Sequence, residues 1–311
     1  MTFLLTGASG FLGAYVLITA RQRGKEIRPV YRSTHSAKGE SEAVLVSDLD
    51  GSANWSQALK GVHVVIHAAA RAHIMREESL DPLVEYRRVN VEGTLNLARQ
   101  AAAAGVRRFV FISSIKVNGE TTASGHPFNA DDTPAPEDAY GLSKAEAEAQ
   151  LKQVAQETGM EVTIIRPPLI YGPGVKGNLA SLIRWVRRGL PLPLGGVTHN
   201  RRSLVGLDNL VDLILVCADH PKAANQTFLI SDGEDLSTTE LLRRIGMALR
   251  RPACLIWLPA GLISFMAGLV GKKEISQRLL GSLQVDIHKT CELLDWKPSV
   301  GVDEGLRKAV E

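Results

Sequence analysis

The stretch TFLLTGASGFLG, from Thr2 to Gly13, places three glycines directly after a short apolar run. Such a run is typical of a buried strand, and the residues after it have the pattern of a helix. The first two glycines permit a tight turn and the close approach of a pyrophosphate, and the third permits close helix–sheet packing. The N–H groups at the start of the helix would face the phosphates. The stretch therefore predicts a dinucleotide-binding loop with contacts from Gly7, Ser9, Gly10, Phe11, Leu12 and Gly13.

Strand-like and helix-like segments alternate through the first half of the chain. Apolar runs predict strands at residues 2–6, 26–31, 43–47, 62–68, 107–112 and 161–166. Helical patterns occupy residues 11–24, 55–59, 82–104 and 139–158 between them. Near-continuous Val, Ile and Leu runs are typical of strands covered on both faces. Their alternation with helices indicates an α/β fold with a Rossmann-type, doubly wound parallel sheet, and we predict a dinucleotide-binding domain over residues 1–166.

The pattern changes after Arg166, where Pro167-Pro168 and Gly172-Pro173-Gly174 interrupt it. Proline and glycine clusters of this kind mark loops. Shorter segments follow, with a strand predicted at residues 201–205 and helices at 178–188, 207–219, 238–249, 286–294 and 303–310. We therefore predict a smaller C-terminal α/β domain over residues 167–311 that binds the substrate, with some elements exchanged between the two domains.

The bulk composition is ordinary for a globular enzyme. With 311 residues, 45% of them hydrophobic and 22% charged, the chain can form one or two domains with a large core. The net charge of +3 comes from scattered basic residues, which does not favour nucleic-acid binding. Three widely separated cysteines, without metal-ligand spacing to histidines, predict a cytoplasmic protein with neither disulfides nor a metal site.

One segment, residues 253–271, carries no charged side chain over a length close to that of a membrane span. It contains Pro259, Gly261 and Gly268, and Arg251 and Lys272 flank it. These breaks favour a buried or interfacial helix over a spanning one. A peripheral membrane contact stays open as an alternative that we do not expect.

The end of the second strand bears on the choice of cofactor. An acidic residue there would bind the ribose 2′-hydroxyl of NAD, whereas an arginine would accept the 2′-phosphate of NADP. This strand ends in Tyr31-Arg32-Ser33 with no acid, so Arg32 and Ser33 favour NADP(H), with NAD(H) as the alternative. Asp48 and Leu49 follow the third strand and are predicted to hold the adenine end, although Asp48 also fits a turn or cap.

Tyr140 and Lys144 are spaced one helical turn apart and therefore share a helix face. An ammonium beside a phenol favours the phenolate and lowers the pKa of the tyrosine. The pair is therefore a candidate general acid/base, although its spacing alone is weak evidence. Ser113 and Ser114 follow the strand at residues 107–112, and a hydroxyl at the carboxyl end of a parallel strand can donate a hydrogen bond to a substrate carbonyl.

These motifs occur in an order that resembles the extended short-chain dehydrogenase/reductases, the group of nucleotide-sugar epimerases, dehydratases and reductases. The resemblance covers nearly the whole chain and rests on the glycine loop, His67-Ala68-Ala69-Ala70, Asn90 in Val89–Thr94, Ser113-Ser114, Tyr140-x-x-x-Lys144 and Arg166-Pro167-Pro168. It implies that Ser114, Tyr140 and Lys144 are catalytic and that Asn90 supports the active-site helix. It also implies that the cofactor is contacted by Ala68, Ala69, Ala70, Asn90, Ile112, Tyr140, Lys144, Pro167 and Leu169.

The same resemblance implies a UDP-sugar substrate. Asn178, Arg202 and Arg278 match residues that contact the diphosphate in the family, and Lys116 is expected to contact the substrate. A planar guanidinium suits this role because it can bind phosphate oxygens bidentately. The long helices at residues 82–104 and 139–158 imply a homodimer that pairs through a four-helix bundle.

The motif variants bear on the reaction. The tyrosine that UDP-glucose 4-epimerases carry after the serine motif is absent from Ile115-Lys116-Val117-Asn118-Gly119. That stretch and Asn200–Gly206 look like the bacterial reductases that act on the C4 keto group of UDP-2-acetamido-2,6-dideoxyhexulose. Such enzymes make UDP-N-acetylquinovosamine or its C4 epimer for O-antigen, and this is the first expectation. A UDP-hexose 4-epimerase is the second, and a non-catalytic NADPH-binding regulator the third.

Overall fold

The structure is a computed structural model that describes residues 1–37, 39–40, 42–72, 81–123, 125–269, 277 and 279–311. Its strands in chain order are β1 Thr2–Thr6, β2 Glu26–Tyr31, β3 Val44–Leu45, β4 Val64–His67, β5 Arg108–Ile112, β6 Glu161–Arg166, β7 Leu169–Tyr171, β8 Arg202–Gly206, β9 Thr227–Leu229 and β10 Asp235–Leu236. Its helices are α1 Phe11–Gln22, α2 Ser56–Leu59, α3 Pro82–Tyr86, α4 Thr94–Ala103, α5 Ala139–Thr158, α6 Gly177–Arg188, α7 Leu207–Asp219, α8 Thr238–Ala248, α9 Ala260–Leu269, α10 His288–Leu294 and α11 Val302–Val310.

Seven strands form one parallel sheet in the order β3-β2-β1-β4-β5-β6-β9. The strand order reverses between β1 and β4, and ligands of open α/β sheets bind at such a point, beside the carboxyl ends of the strands. Apolar side chains of α1 and α7 cover one face of the sheet, and those of α2, α4 and α5 cover the other. The predicted α/β class and doubly wound sheet are confirmed.

A π-helical segment at Arg87–Gly93 joins α3 to α4, where the sequence predicts one regular helix over residues 82–104. Gly93 lies where a Cβ would be 2.3 Å from the carbonyl oxygen of Leu49, so the helix packs against the loop after β3 without a side chain between them. The wider turn also carries Asn90. Irregular helical turns of this kind are frequent at functional sites.

The C-terminal half builds a second, three-stranded sheet in the order β10-β8-β7. A separate apolar cluster forms its core and includes side chains of α6, α8 and α11. The two halves also exchange elements, since α7 and β9 follow residue 166 and yet belong to the layers of the large sheet.

The uncharged segment at residues 253–271 contains α9, a helix of 10 residues, while Val270 and Gly271 lie outside the described residues. Among the helices that the structure describes, none combines the length and the apolar character needed to cross a bilayer. The segment therefore contains a helix, but the described side chains of α9 are exposed or half-buried, so the expectation of a buried helix is wrong.

Candidate active site

The glycine loop folds back on itself between β1 and α1. Gly7 has a φ of +73°, and a Cβ on it would lie 2.8 Å from the backbone nitrogen of Ala69. A Cβ on Gly13 would lie 2.1 Å from the carbonyl oxygen of Gly7. The N-cap of α1 is Gly10, which supplies no side-chain cap, so the first N–H groups of the helix face the loop. This cradle fits the pyrophosphate of a dinucleotide, which the Ser9–Gly13 backbone would hold.

The end of β4 is fixed beside this loop by a buried histidine. His67 hydrogen-bonds through Nδ1 to the Thr6 hydroxyl at 2.7 Å and through Nε2 to the Thr94 hydroxyl at 3.0 Å. The N–H of Ala69 donates to the same Thr6 oxygen at 3.2 Å. Burial, assisted by the charge of Lys144, lowers the pKa of His67 to about 3, so its ring is neutral. His67 therefore positions Ala68–Ala70 against the glycine loop rather than moving protons.

The residues predicted at the adenine end lie around the ends of β2 and β3. Arg32 and Ser33 directly follow β2 and are exposed, and the Ser33 and Ser36 hydroxyls are 3.2 Å apart. Asp48 is also exposed, and Leu49 is half-buried beneath the π-helical segment. These groups share the sheet edge with the glycine loop, where they could contact the adenosine half of a bound dinucleotide.

The two serines after β5 have different surroundings. Ser113 is buried and donates through Oγ to Glu148 at 2.5 Å. Ser114 is half-buried, and its Oγ accepts from the N–H of Lys116 at 3.2 Å. A hydroxyl that accepts in this way still has its proton to donate. The hydroxyl proton of Ser113 is therefore committed to Glu148, whereas that of Ser114 is not used in the bond with Lys116.

Tyr140 and Lys144 stand in the first two turns of α5. The Lys144 ammonium is buried, donates to the carbonyl oxygen of Ile112 at 2.9 Å and lies 4.4 Å from the centroid of the Phe111 ring. Burial lowers the pKa of Lys144 to about 7, against a smaller opposing effect of Glu148. The helix therefore brings an amine that titrates near neutrality to the end of β5.

The expected lowering of the Tyr140 pKa by Lys144 is wrong. Burial raises the pKa of the Tyr140 phenol, and the Asp138 carboxylate and the Tyr86 ring, whose centroid is 6.0 Å away, raise it further. The physical reason is the burial of the phenol, while the Nζ of Lys144 is bonded to the Ile112 carbonyl. A phenolate at Tyr140 therefore needs a further positive charge beside it.

Asn90 joins α5 to the segment after β4. Its Nδ2 donates to the Ser143 hydroxyl at 3.0 Å and to the carbonyl oxygen of Arg71 at 3.1 Å, and its Oδ1 accepts from the N–H of Arg71 at 2.8 Å. Asn90 is 1% exposed, so these bonds are shielded from water. The side chain thus ties the helix of Tyr140 and Lys144 to the strand end that carries Ala68–Ala70.

Lys116 lies beside the start of α5, where its ammonium contacts two carboxylates. Its Nζ donates to Glu120 at 2.6 Å and to the Asp138 carboxylate. Asp138 caps α5 by accepting from the N–H of Gly141 at 2.7 Å. Burial alone would raise the pKa of Asp138, but the bonds from Lys116 and Gly141 outweigh it, and the pKa lies below its ordinary value. Lys116 therefore favours the charged form of Asp138 next to Tyr140. This effect is additional to its predicted contact with the substrate.

The predicted substrate residues come from the C-terminal half. Asn178 is exposed in the first turn of α6, and Arg202 opens β8 and donates to the carbonyl oxygen of Gly281 at 3.1 Å. Arg278 lies outside the described residues. One small apolar cluster contains Ile115 from the sheet half and Leu283 and Val285 from the C-terminal half. Ile115 directly precedes Lys116, and Leu283 pairs with Arg202, so the segments of both basic residues pack on this cluster.

Three further predicted contacts lie at the strand ends. The N–H of Ile115 donates to the carbonyl oxygen of Pro167 at 3.0 Å, which holds the serine turn to the loop after β6. Leu169 begins β7 and is 41% exposed. The Ile112 carbonyl accepts from Lys144, as described above.

Sequence reasoning missed Asp138 and Glu148. Asp138 stands where an N-cap is expected, directly before the helix of Tyr140, and that signal could have identified it. Glu148 lies one turn after Lys144 and forms a buried ion pair with Arg166, whose Nη2 is 2.5 Å from its Oε2. A carboxylate on the apolar face of α5 is the signal that a buried partner exists.

The comparisons with known proteins extend over the whole chain. A sequence profile of the NAD dependent epimerase/dehydratase family matches residues 3–231. A UDP-glucose 4-epimerase of Vibrio cholerae is 48% identical over 312 residues, across 100% of this chain and 94% of the relative. The N-acetyl-alpha-D-glucosaminyl-diphospho-ditrans,octacis-undecaprenol 4-epimerase of Escherichia coli O157:H7 is 27% identical, across 98% of this chain and 94% of the relative.

The fold also matches solved structures. MoeE5 in complex with UDP-glucose and NAD has a TM-score of 0.79 and 25% identity, over 100% of this chain and 97% of that one. The likeness therefore includes both the seven-stranded sheet and the C-terminal half that meet at the site.

Proposed function

This chain belongs to the NAD dependent epimerase/dehydratase family, and we propose that it is a UDP-hexose 4-epimerase that oxidises and re-reduces C4 of the sugar. The observation that carries the proposal is the 48% identity, over the whole chain, to the Vibrio cholerae UDP-glucose 4-epimerase. The arrangement of Ser114, Tyr140 and Lys144 at the carboxyl edge of the sheet supports the same carbonyl–alcohol chemistry.

Each catalytic residue has a distinct part in this reaction. The bound nicotinamide supplies the hydride acceptor and, in its oxidised form, a positive charge. Tyr140, whose pKa falls beside a cation, would take the proton of the C4 hydroxyl as C4 loses its hydride, and would return that proton as C4 regains the hydride on the other face of the 4-keto sugar. Ser114 would donate a hydrogen bond to the same oxygen. Lys144 would hold the ribose of the cofactor.

The diphosphate of the substrate is assigned to the C-terminal half. Asn178 and Arg202 are proposed to contact its oxygens, together with Arg278, and Lys116 to contact the sugar. Arginine suits this role because its planar donors can bind two phosphate oxygens at once. The carbonyl bond of Arg202 to Gly281 supports a fixed orientation for its guanidinium.

A second candidate is the reduction of the C4 keto group of a UDP-2-acetamido-2,6-dideoxyhexulose. The absence of an acid after β2 favours it, because Arg32 and Ser33 suit a cofactor phosphate and a reductase exchanges its cofactor at each turnover. The products would be UDP-N-acetylquinovosamine or its C4 epimer, a precursor of surface polysaccharide.

One assay separates the two candidates. We expect UDP-glucose or UDP-N-acetylglucosamine to convert to its C4 epimer, measured by anion-exchange chromatography, with no net change in reduced-nicotinamide absorbance. Stoichiometric oxidation of NADPH by UDP-4-keto-6-deoxy-N-acetylglucosamine, without interconversion of the hexoses, would instead establish the reductase. Cofactor binding with neither reaction would point to a regulator.

Cofactor choice and oligomeric state complete the proposal. The family and the MoeE5 complex support a nicotinamide dinucleotide, and Arg32 supports use of NADP(H) beside NAD(H). Arg32→Asp is expected to lower the preference for NADP(H) over NAD(H) by on the order of tenfold or more in dissociation constant, as measured by calorimetry. We also propose a homodimer paired through α3–α4 and α5 as a four-helix bundle, which light scattering can test.

A further inference from the structure

The segment before α9 is fixed to the body of the C-terminal half. Ile256 donates through its N–H to the carbonyl oxygen of Leu192 at 2.8 Å, and Leu192 donates in the same way to Cys254 at 2.8 Å. The N–H of Gly195 donates to the carbonyl oxygen of Ile256 at 2.9 Å. From α9 itself, Ile263 packs against the C-terminal apolar core. The helix therefore has an inner face held by the protein and an outer face of its own.

The outer face of this region is apolar. Trp257 is 70% exposed and Phe265 64%, and Leu262 and Met266 are also exposed. Leu262, Phe265 and Met266 are spaced at i, i+3 and i+4, which places them on one side of the helix. A surface helix of a globular protein normally turns such a stripe inward. Here it faces outward, and contiguous exposed apolar surface of this kind marks an interaction site.

The sequence around this region is rich in basic residues, of which Arg244 is paired with Glu234, Glu240 and Asp303. From Leu241 to Lys273 the sequence contains no Asp or Glu, and its charged residues are Arg243, Arg244, Arg250, Arg251, Lys272 and Lys273. Nearby, Arg251 donates to the carbonyl oxygen of Arg187 at 2.6 Å, which joins the region to the end of α6. That last turn carries Arg187 and Arg188 beside Trp185, which is 41% exposed. Arg251 therefore joins this basic sequence to the basic last turn of α6, and the exposed Trp257 belongs to the apolar face.

We propose that the face formed by Ile256, Trp257, Leu262, Phe265 and Met266 docks on the surface of an anionic lipid bilayer. Interfacial helices combine an apolar side with basic residues, and their tryptophans and phenylalanines enter the boundary between headgroups and acyl chains. The basic sequence of this region favours anionic lipid, since each lysine or arginine near such a surface adds to the attraction. A helix of 10 residues is about 15 Å long and would lie in the interface plane. The inference is independent of the reaction proposed above.

The test uses the full chain and sedimentation with lipid vesicles. We expect co-sedimentation with vesicles of phosphatidylcholine and phosphatidylglycerol in a ratio of about 7:3, much less with phosphatidylcholine alone, and release as salt is raised. The double substitution of Phe265→Ser and Met266→Ser should lower the bound fraction on the order of tenfold. Ile18→Ser, which changes an exposed apolar residue on α1, is the matched control and should bind like the parent chain.

The outcomes that overturn the proposal are distinct. Equal binding to neutral and anionic vesicles, no binding at low salt, or unchanged binding by the folded double variant would each reject it. A concentration-dependent oligomer that the double variant loses, without lipid binding by the parent, would show that a second copy covers this face. Circular dichroism of each variant verifies that it is folded.

Discussion

The ammonium nitrogen of Lys144 lies 2.9 Å from the carbonyl oxygen of Ile112, so α5 is bonded directly to the last residue of β5, a central strand of the sheet. The bond fixes the turn of α5 that carries Tyr140 relative to the sheet edge where Ser114 begins its turn. Because the lysine is buried, its protonation is coupled both to the site and to folding.

Removal of the Tyr140 hydroxyl tests the acid/base assignment. Tyr140→Phe is expected to lower kcat by a factor on the order of 10² or more, because general acid–base catalysis contributes at least that much. Calorimetry should show cofactor binding close to that of the parent. Tyr15→Phe removes a hydroxyl that donates to Asp208 at 2.7 Å, outside the proposed catalytic set, and should leave kcat unchanged. Near-normal turnover of Tyr140→Phe would reject the assignment.

The buried amine predicts a pH dependence of stability. The pKa of Lys144 is about 7 in the folded protein and near 10.4 when unfolded, so between pH 7 and 8.5 the unfolded chain binds more protons. The free energy of unfolding should therefore rise with pH in this range, by up to about 1.4 kcal/mol per pH unit from this group. Lys144→Met should remove that component. Urea denaturation of both proteins at pH 7 and 8.5 gives the free energy of unfolding at each pH. An equal change of this free energy with pH in the two proteins would contradict the burial of the amine.

The buried His67 predicts a second pH dependence of stability, on the acid side of neutrality. Its pKa is about 3 in the folded protein and near 6.5 when unfolded, so protons bind preferentially to the unfolded chain between these values. Stability should fall as pH is lowered from 7 to 5, and His67→Asn should flatten that part of the curve. Thermal unfolding at several pH values provides the measurement. A parent and variant that lose stability in parallel would show that other groups cause the effect.

The ion pair of Arg166 and Glu148 should contribute far more to stability than an exposed pair. Arg166→Met leaves a buried carboxylate without its partner and is expected to cost about 3–5 kcal/mol in the free energy of unfolding. Arg21→Met breaks an exposed pair with Glu40 and should cost about 1 kcal/mol or less. Denaturant titration of both variants measures the difference, and equal costs would contradict a buried pair.

The close packing of Gly13 provides a steric test of dinucleotide binding by the glycine loop. Gly13→Ala places a Cβ 2.1 Å from the Gly7 carbonyl oxygen, so the loop must move and the cradle opens. We expect the affinity for NAD(H), measured by calorimetry, to fall on the order of tenfold or more. Gly301→Ala meets no atom within 4 Å and should leave the affinity unchanged. Unaltered binding by Gly13→Ala would show that the dinucleotide lies elsewhere.

Much of the fold could be predicted because long apolar runs and capped helices determine their own structure locally. The bounds of β1, β2, β6, α5 and α7 match the predicted segments. Three short strands after Arg166, β7, β9 and β10, were not predicted, since two or three residues show no period and pair only through tertiary contacts. The π-helical turn was missed because its sequence is that of an ordinary helix.

The candidate site, like the fold, could be predicted from the sequence only in part. The glycine loop and the Tyr140–Lys144 pair are visible as spacing, and the family pattern selected Ser114. The direction of the pKa shift of Tyr140 could not be predicted, because it depends on burial and on where the Lys144 ammonium bonds. Likewise, hydropathy marked the segment of α9 as apolar, but which side chains face outward depends on tertiary packing, in which Ile263 contacts the C-terminal apolar core.

The return of α7 and β9 to the large sheet has a consequence for any attempt to divide this enzyme. A fragment that ends at Arg166 would lack α7, one of the two helices that cover one face of the sheet, and β9, the strand that borders β6. Its partly uncovered apolar face and open strand edge would promote aggregation. Because the two halves share these elements, we expect them to unfold together, and a single cut after Arg166 should yield no independently folded half.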